Sequence, residues 1–505
     1  MRKLSEGFPL LAHPPQLWDW CADVMLSEVL QPRDGLPRLV QSLDGGCRRL
    51  RVCYLGGSVT EQSSGYRPRV TAFLPSVAAL HGVDVEEVPA FCGNCGSKVL
   101  AFMVSDWVVA RRPDLVFVEL VINDGDTLLE TDDAESLGSA LEGIVRHIRD
   151  ALPRCEVCFL YMFLRDDLPL HQRTGSKAWA ENEDAAAART YHERVPRMHD
   201  RVCDHYGLPS IDLVPLMRRV PPELRGRLFR DDCHFVEPGA AFAASAICAA
   251  LSQLLERPPP SSLVAGGPGA SALPRPLPRP LHARPWGRGR AEEVTAQQLS
   301  FFYVKAPPQG EAAAAELRER LLRRHAQLDM DPLDNARRKA WWLLYAGDSA
   351  EVHFEGTRLG LLTMIGPDAG TVRCDVDGGR WSVKRTLLDR WAYFWRLAAV
   401  GLVDDLPPGR HVARIWMEDA PPDARLLKRK PTGAHWEQCK REGKQHKLWL
   451  MHWLIEESSD RERAVVLRAG AAAEGTRVTP AAAPHAPSPA RLGGVGVASG
   501  GRRAD

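Results

Sequence analysis

The chain has almost no excess of charge and no long apolar run, and each absence excludes a class of function. Its 505 residues include 65 Lys and Arg against 64 Asp and Glu, which gives a formal net charge of +1. That balance argues against nucleic-acid binding and against a polybasic membrane anchor. No stretch approaches the roughly 20 apolar residues that span a bilayer, and Glu6 and Pro9 interrupt the start before a signal-peptide core forms. We therefore expect a soluble protein without an evident signal peptide, and a cytoplasmic location is favoured.

Cysteine is also sparse, because 12 cysteines are scattered over the whole chain. This density is unlike that of a small secreted scaffold held by disulfides, so we expect reduced thiols. Two Cys-x-x-Cys pairs, Cys92 with Cys95 and Cys155 with Cys158, are candidate zinc ligands. The second pair falls in a predicted strand, where residues three apart point to opposite faces. Asp124-Gly125-Asp126 resembles a metal-binding DxD but lacks a nucleotide-binding pattern, so a turn is the better interpretation, and no metal or organic cofactor is predicted.

Composition divides the chain into four segments. Residues 1–256 have the pattern of an α/β domain, and residues 257–296 are a Pro-, Gly- and Arg-rich interdomain linker. Residues 297–463 contain short β-rich runs bounded by Gly, Pro and Asp, which predict an antiparallel β-sandwich with one helix, Glu311 to Leu328, leading into it. Residues 464–505 are rich in Ala, Gly and Pro and are predicted to be a disordered tail.

The α/β interpretation of the first segment comes from its alternation of short apolar runs with segments of helical period. The predicted strands are Leu50 to Leu55, Val83 to Val88, Asp114 to Ile122, Glu156 to Phe163 and Ser210 to Leu213. Between the third and fourth strands, apolar residues from Leu137 to Leu152 recur every three or four positions and predict a helix. The alternation implies a parallel sheet covered on both faces, which binds its ligands beyond the carboxyl ends of its strands.

Three polar motifs fall at such strand ends. Ser58 follows two glycines where the first strand turns into a helix, so it is a candidate nucleophile, although a helix N-cap is the alternative. Asn123 follows the third strand and could donate a hydrogen bond to a developing negative charge, or it could only shape an Asn-Asp-Gly turn. Asp231 and His234 share a late loop, where the carboxylate could accept the imidazole proton while the other ring nitrogen faces a serine.

Taken together, these motifs resemble those of the SGNH, or GDSL-type, hydrolases, whose blocks run from an N-terminal Ser through a Gly and an Asn to a late Asp-x-x-His. The resemblance covers Arg51 to Ala244 and keeps block order and approximate spacing. The segment Phe102 to Asp124 is similar to the run before the Asn block in carbohydrate-active members. Two departures are that Gly57 replaces the Asp of Gly-Asp-Ser and Val121 replaces the Gly of Gly-x-Asn-Asp. Neither replaced residue carries a proton or donates to an oxyanion, so the departures put the subfamily and substrate in doubt more than the reaction.

The resemblance implies a flavodoxin-like three-layer fold with a parallel sheet and assigns roles by position. Ser58 would be the nucleophile, His234 the general base and Asp231 its orienting partner. The oxyanion hole would use the backbone N–H of Ser58, a glycine backbone and the Asn123 side chain. For the glycine, counting back from Phe102 favours Gly96, while Gly93 is the alternative.

The C-terminal half is similar to the accessory β-sandwich that accompanies some SGNH carbohydrate esterases, over the stretch from Trp342 to Glu418. It is also rich in tryptophan, which can stack on sugars, although most tryptophan in a small sandwich is core. The tryptophans are Trp341, Trp342, Trp381, Trp391, Trp395, Trp416, Trp436, Trp449 and Trp453.

The expected function is therefore a serine esterase that removes acyl groups, with acetyl the expected group, from a small molecule or polysaccharide through an acyl-enzyme. An O-acyltransferase with the same triad would share the first half-reaction, and a catalytically silent carbohydrate-binding protein is the alternative of another class. No nucleic acid partner is expected, and the sequence leaves the oligomeric state open.

Overall fold

The structure is a computed structural model of the chain. It describes residues 26–165, 188–256, 277–283, 286–287, 289–294, 299–300, 342–346, 348–388, 392, 396–419 and 448–456. The predicted helix Glu311 to Leu328, the predicted tail 464–505, the start of the chain and linker residues 257–276 lie outside these ranges.

A six-stranded, mostly parallel sheet forms the centre of the N-terminal part. Its strands are β1 (Leu30–Gln31), β2 (Arg49–Gly56), β3 (Asp84–Phe91), β4 (Leu115–Glu119), β5 (Glu156–Tyr161) and β6 (Ser210–Asp212). The order across the sheet is β1-β6-β5-β4-β2-β3, and only the short β1 is antiparallel to its neighbour. Counted from β2, the parallel strands follow the flavodoxin-like order 2-1-3-4-5, which confirms the predicted fold class. The order reverses between β2 and β4, and the predicted nucleophile and Asn123 follow these two strands.

Helices cover both faces of this sheet because their apolar residues line one side at helical spacing. They are α1 (Leu26–Val29), α2 (Pro37–Asp44), α3 (Ser58–Glu61), α4 (Tyr66–Phe73), α5 (Ser97–Trp107), α6 (Val121–Thr131), α7 (Ala134–Ala151), α8 (Val195–Tyr206), α9 (Val214–Arg219), α10 (Pro222–Arg225) and α11 (Glu237–Glu256). Short 3₁₀ turns lie at Leu74–Ser76, Ala78–Leu80 and Val109–Arg111, and a π turn at Thr190–Arg194 precedes α8. Helix α7 confirms the predicted helix, and the Asp133 carboxylate caps it by accepting from the Ser136 N–H at 3.0 Å.

One predicted boundary is wrong. The sequence predicts that the third apolar run stays extended to Ile122, but β4 ends at Glu119 and α6 begins at Val121. The Asn-Asp-Gly sequence is therefore the first turn of a helix rather than a separate turn. Val121 and Ile122 belong to the buried first turn of α6, and they are as apolar as the strand before them. The apolar run alone therefore could not mark the end of the strand.

Helix α11 alone among the described helices is long and apolar enough to meet the length and composition test for a membrane span. Within its most apolar 18-residue window, 89% is buried inside the protein, as in a core helix. It packs against α4 in the same apolar core as the β2, β4 and β5 side chains on that face of the sheet.

The C-terminal part contains two antiparallel sheets. The first has the order β13 (Trp381–Thr386), β12 (Thr371–Val376), β15 (Arg410–Met417), β10 (Ser349–Glu355), β8 (Leu299–Ser300). The second has the order β14 (Arg396–Val403), β11 (Arg358–Ile365), β16 (Leu448–Glu456), β7 (Gly289–Glu293), and β9 (Trp342–Leu344) also pairs with β16. Residues from both sheets share one apolar core, as a β-sandwich requires. The predicted hairpin at Asp377-Gly378 joins β12 to β13, with φ of 50° and 68° at these residues.

Part of the predicted linker is packed against the α/β part. Gly289 lies against the backbone of Ala101 and Phe102 so closely that a Cβ there would overlap them, and the Ser105 hydroxyl donates to the Gly289 carbonyl at 2.6 Å. Trp286 is 5% exposed and meets the Phe102 ring edge to face at 4.9 Å between ring centroids. The two parts of the chain therefore share an apolar core, which also includes Met364 and Trp449 of the second β-sheet.

A buried carboxylate fixes the same segment. Glu142 on α7 accepts hydrogen bonds from the backbone N–H groups of Leu281 and His282, from His282 Nδ1 and from the Tyr206 hydroxyl. Burial alone would raise the pKa of Glu142, but the hydrogen bonds from His282 and Tyr206 outweigh it and lower that pKa to about 2. Glu142 is therefore held as a carboxylate that ties residues 281 and 282 to α7.

Candidate active site

The polar motifs meet at the carboxyl end of the sheet, at the point where the strand order reverses. Ser58 is the first residue of α3, directly after β2 and Gly57. Asn123 lies in the first turn of α6, after β4. Asp231 and His234 are on the loop before α11. Parallel strands end at the same edge, which brings Ser58 and Asn123 together, and the loop before α11 brings His234 into contact with Ser58, 176 positions away in the sequence.

The Ser58, His234 and Asp231 side chains form a continuous hydrogen-bonded chain. His234 Nε2 lies 2.9 Å from Ser58 Oγ, and His234 Nδ1 lies 2.9 Å from both carboxylate oxygens of Asp231. The N-cap of α3 is Gly57, so the alternative role of Ser58 as an N-cap is excluded. The Ser58 hydroxyl instead faces the His234 imidazole. This arrangement lets the imidazole accept the serine proton while the carboxylate holds the ring in the required tautomer.

The Asp231 carboxylate is held in its ionised form by its own loop. Its Oδ1 accepts from the backbone N–H groups of Cys233 at 3.1 Å and His234 at 2.8 Å. Partial burial would raise the pKa of Asp231, but the hydrogen bonds from His234 and these two amides outweigh it, and the pKa lies well below its usual range. The loop is itself anchored, since the Arg165 N–H donates to the Asp232 carbonyl at 2.8 Å and the Arg230 N–H to the His234 carbonyl at 2.7 Å.

Asn123 is 7% exposed, and its side-chain amide lies directly against Gly57. A Cβ built on Gly57 would overlap the Asn123 amide, although the Gly57 backbone, at φ −88°, suits any residue. In this structure a side chain at position 57 would therefore displace Asn123. The amide is thereby fixed beside Ser58, the predicted nucleophile, where a donor to an oxyanion would be needed.

The two candidate glycines have different neighbours. Gly96 immediately precedes α5, and a Cβ there would lie 2.5 Å from Asp124 Oδ1 and 3.4 Å from the carbonyl carbon of Asn123. Gly93 lies beside Ser58, where a Cβ on the glycine would be 3.7 Å from Ser58 Cβ. Gly96 stays the prediction for the backbone donor, and Gly93 stays the alternative.

A buried carboxyl in contact with α3 was missed by the sequence analysis. Glu119 ends β4, is 1% exposed, and accepts a hydrogen bond at Oε2 from the Thr60 hydroxyl at 2.8 Å. The Thr60 hydroxyl also lies 2.8 Å from the Tyr66 hydroxyl, while Glu119 Oε1 has no hydrogen-bond partner among the described residues. Burial raises the pKa of Glu119 to about 8, although the Thr60 hydrogen bond and His234 lower it. The available signal was a single charged residue within the apolar run Leu115 to Ile122.

Two further side chains hold α3 in place. Gln62 Nε2 donates to the Phe235 carbonyl at 2.5 Å, which connects the end of α3 to the loop that carries His234. Arg67 Nε donates to the Thr60 carbonyl at 2.8 Å from α4. Both are ordinary surface-type residues in the sequence, so no pattern could have marked them.

The rival motifs have other structural roles. Cys155 and Cys158 are buried in the separate cores on opposite faces of the central sheet, so they cannot bind one ion together. Asp124 is fully buried, accepts from the Ser97 hydroxyl at 2.9 Å and lies 2.9 Å from His199 Nε2, whereas Asp126 accepts from the Tyr191 hydroxyl at 2.8 Å. The two aspartates of the DxD sequence therefore bind different partners.

The tryptophans of the β-sandwich are mostly core where the structure describes them. Trp449 and Trp453 are buried, and Trp381 is partly buried and packs on the edge of the sandwich core. Trp416 is partly exposed and pairs with the exposed Arg373 across β15 and β12, with the guanidinium carbon 5.7 Å from the centre of the Trp416 ring. Trp416 is the described indole that best fits the predicted sugar-stacking role.

Residues 54–242 match the GDSL-like Lipase/Acylhydrolase family. No curated protein matches the chain by sequence.

Solved structures also resemble the chain. A two-domain esterase (CEX) active on acetylated mannans matches with 15% identity and a TM-score of 0.57, both alone and co-crystallized with mannopentaose. In the mannopentaose structure the match covers 86% of this chain and 98% of that one. A catalytic mutant of Axe2, an acetylxylan esterase from Geobacillus stearothermophilus, matches 41% of this chain and 94% of its own, with 14% identity and a TM-score of 0.32. At these identities the likeness to the two-domain esterase concerns the fold, and it extends over both parts of this chain.

Proposed function

We propose that the protein is an SGNH-type enzyme that acts on ester bonds with Ser58, His234 and Asp231, because residues 54–242 match the GDSL-like Lipase/Acylhydrolase family. The observation that carries the proposal is the hydrogen-bonded chain from Ser58 Oγ through the imidazole to the Asp231 carboxylate, with 2.9 Å at each step. A nucleophile, a base and an orienting group within hydrogen-bond reach are what serine acyl transfer requires.

In the proposed reaction, Ser58 Oγ attacks the ester carbonyl carbon while its proton passes to His234 Nε2. The negative charge that forms on the carbonyl oxygen is stabilised by the Ser58 N–H, the Asn123 amide and the Gly96 N–H. The imidazolium, stabilised by Asp231, then gives its proton to the leaving alcohol, which leaves an acyl group on Ser58. Water, deprotonated by His234, attacks that acyl group and releases the acid.

We propose acetylated carbohydrate as the substrate class. The two-domain architecture resembles that of an esterase active on acetylated mannans, and that resemblance supports a sugar ester for this chain as well. The partly exposed Trp416 on the outer face of the β-sandwich supports a role for the second domain in holding a polysaccharide.

We retain the domain division as part of the proposal, with a hydrolase domain over 1–256 and an accessory domain over 297–463. The segment between them is more than a spacer, since its described residues near Trp286 pack on α5 and α7.

The test is ester hydrolysis by the purified full-length protein and by Ser58→Ala. We expect turnover of p-nitrophenyl acetate and release of acetate from acetylated mannan or xylan, with a loss on the order of 10⁶-fold in the variant. Acetate release should account for all the ester consumed, even with excess free sugar present. Transfer of acetyl to the added sugar would favour the acyltransferase, and parent-like activity in folded Ser58→Ala would exclude the mechanism.

A further inference from the structure

A thiol lies beside the proposed triad and has no part in the mechanism. Cys233 is 3% exposed, and its Sγ is 3.6 Å from His234 Nδ1, the nitrogen that faces Asp231. Ligand atoms of Asp231, Cys233 and His234 all lie within 4.8 Å of one another. Among the residues that the structure describes, this is the one group of three His, Cys, Asp or Glu side chains so arranged.

One of the distances in this group already equals that between neighbouring ligands of a tetrahedral zinc ion. Zinc bonds of about 2.3 Å to sulfur and about 2.0 Å to nitrogen or oxygen place neighbouring ligand atoms about 3.3 to 3.6 Å apart. The Sγ to Nδ1 distance of 3.6 Å already has this value. The carboxylate oxygens are 2.9 Å from Nδ1, so a small rotation of the Asp231 side chain would bring one of them to the same spacing.

We propose that Asp231, Cys233 and His234 form an inhibitory site for Zn²⁺ or a similarly thiophilic divalent cation. Thiolate, imidazole and carboxylate are ligands that zinc accepts together, whereas Mg²⁺ and Ca²⁺ favour oxygen ligands and would gain nothing from the thiol. Asp231 and His234 are partly exposed, which gives an ion a route to the buried sulfur.

The inhibition itself rests on the proposed function. A metal ion on Nδ1 takes the lone pair of that nitrogen, so the proton that Nδ1 carried toward Asp231 moves to Nε2. The Cys233 thiol proton is also released to solvent when sulfur binds the ion. With Nε2 protonated, or with the ring fixed on the metal and separated from Asp231, His234 can no longer accept the Ser58 proton as an effective base. Removal of the ion restores the hydrogen-bonded triad, so the effect is reversible.

The experiment measures inhibition by Zn²⁺ and by Mg²⁺ in the metal-free parent, in Cys233→Ser and in Cys47→Ser. Cys47 is the matched control because it is a partly exposed thiol in the loop before β2, outside this cluster. Each protein is normalised to its own metal-free rate of p-nitrophenyl acetate hydrolysis. Mutation of residues that only hydrogen-bond to metal ligands typically lowers metal affinity about 10- to 100-fold. Loss of a direct ligand in Cys233→Ser should therefore raise the half-inhibitory Zn²⁺ concentration at least about tenfold. Cys47→Ser should match the parent, Mg²⁺ should have no effect, and a chelator should restore the rate.

A binding measurement runs alongside, with Zn²⁺ in competition between the protein and a chromophoric chelator. We expect the parent and Cys47→Ser to bind one more equivalent than Cys233→Ser. Cys233→Ala serves as a second variant, since a serine hydroxyl at this buried position could unfold the loop, and melting temperatures show which variants are folded.

Equal Zn²⁺ inhibition of the parent and a folded Cys233 variant would overturn the proposal, as would the absence of the extra equivalent of bound Zn²⁺ in the parent. A parent that hydrolyses no ester while the extra equivalent is present would instead contradict the proposed function and leave the metal site standing.

Discussion

Glu119 should make the stability of the protein depend on pH in a direction opposite to that of most carboxylates. Its pKa is raised from an ordinary 4.5 to about 8, with burial as the main cause. Between these values the folded protein binds a proton that the unfolded chain has released. The free energy of unfolding must therefore fall as pH rises through this window, by up to about 1.4 kcal/mol per pH unit.

The perturbation is Glu119→Gln, which keeps an acceptor for the Thr60 hydroxyl and removes the titration. Between about pH 5 and about pH 7.5, the free energy of unfolding of the parent should fall by about 3 kcal/mol relative to that of the variant. For a domain of this size that is a change of about 6 to 12 °C in the difference between the two melting temperatures.

The assay is thermal unfolding of both proteins across this pH range, with Glu86→Gln as the control. Glu86 is partly exposed, and its hydrogen bond from Arg51 lowers its pKa, so it is ionised throughout the range and its replacement should give a difference that stays flat. Parallel curves for Glu119→Gln and the parent would refute the reasoning, because they would mean that Glu119 is ionised in the folded protein from about pH 5.

Three further changes test the rest of the site. Asn123→Ala should lower kcat by about 10²–10³-fold with little change in KM and melting temperature, and a folded variant within about threefold of the parent would remove Asn123 from the oxyanion hole. Gly57→Ala should lower kcat by about 10²-fold because its Cβ displaces the Asn123 amide, and adding it to Asn123→Ala should cost no more; additive losses would contradict that coupling. Trp416→Ala should weaken binding to acetylated polysaccharide by about 2- to 10-fold and leave p-nitrophenyl acetate kinetics unchanged, so equal affinity would exclude stacking at this indole.

The sequence identified those candidate site residues whose residue type and position are themselves typical of the proposed chemistry. Ser58 and Asn123 could be found because strand ends are visible as the ends of apolar runs, and parallel strands end together. Asp231 and His234 lie on the loop before α11, two helices after β6, and were found from their own Asp-x-x-His spacing.

Contacts between distant segments could not be predicted in the same way. Asn123 leaves no room for a side chain at position 57 because α3 and α6 lie close together. Neither motif taken alone indicates that contact. The end of β4 at Glu119 was hidden because a buried strand and the buried start of a helix have the same apolar composition. The packing of Trp286 in a Pro- and Gly-rich segment was hidden because composition describes average behaviour, whereas a single indole can anchor such a segment.

The packing of residues 286–294 on α5 has a practical consequence for anyone wishing to study catalysis alone. Leu100 and Phe102 on α5 lie in one apolar core with Trp286, Met364 and Trp449, so a fragment that stops at residue 256 would leave this core without its outer layer. Such a fragment would expose an apolar surface that associates with other copies of the fragment during expression, and we expect it to aggregate. Retaining the chain to residue 294 would cover only part of that surface, and replacing Phe102 with a polar residue would be the rational companion change for a minimal catalytic unit.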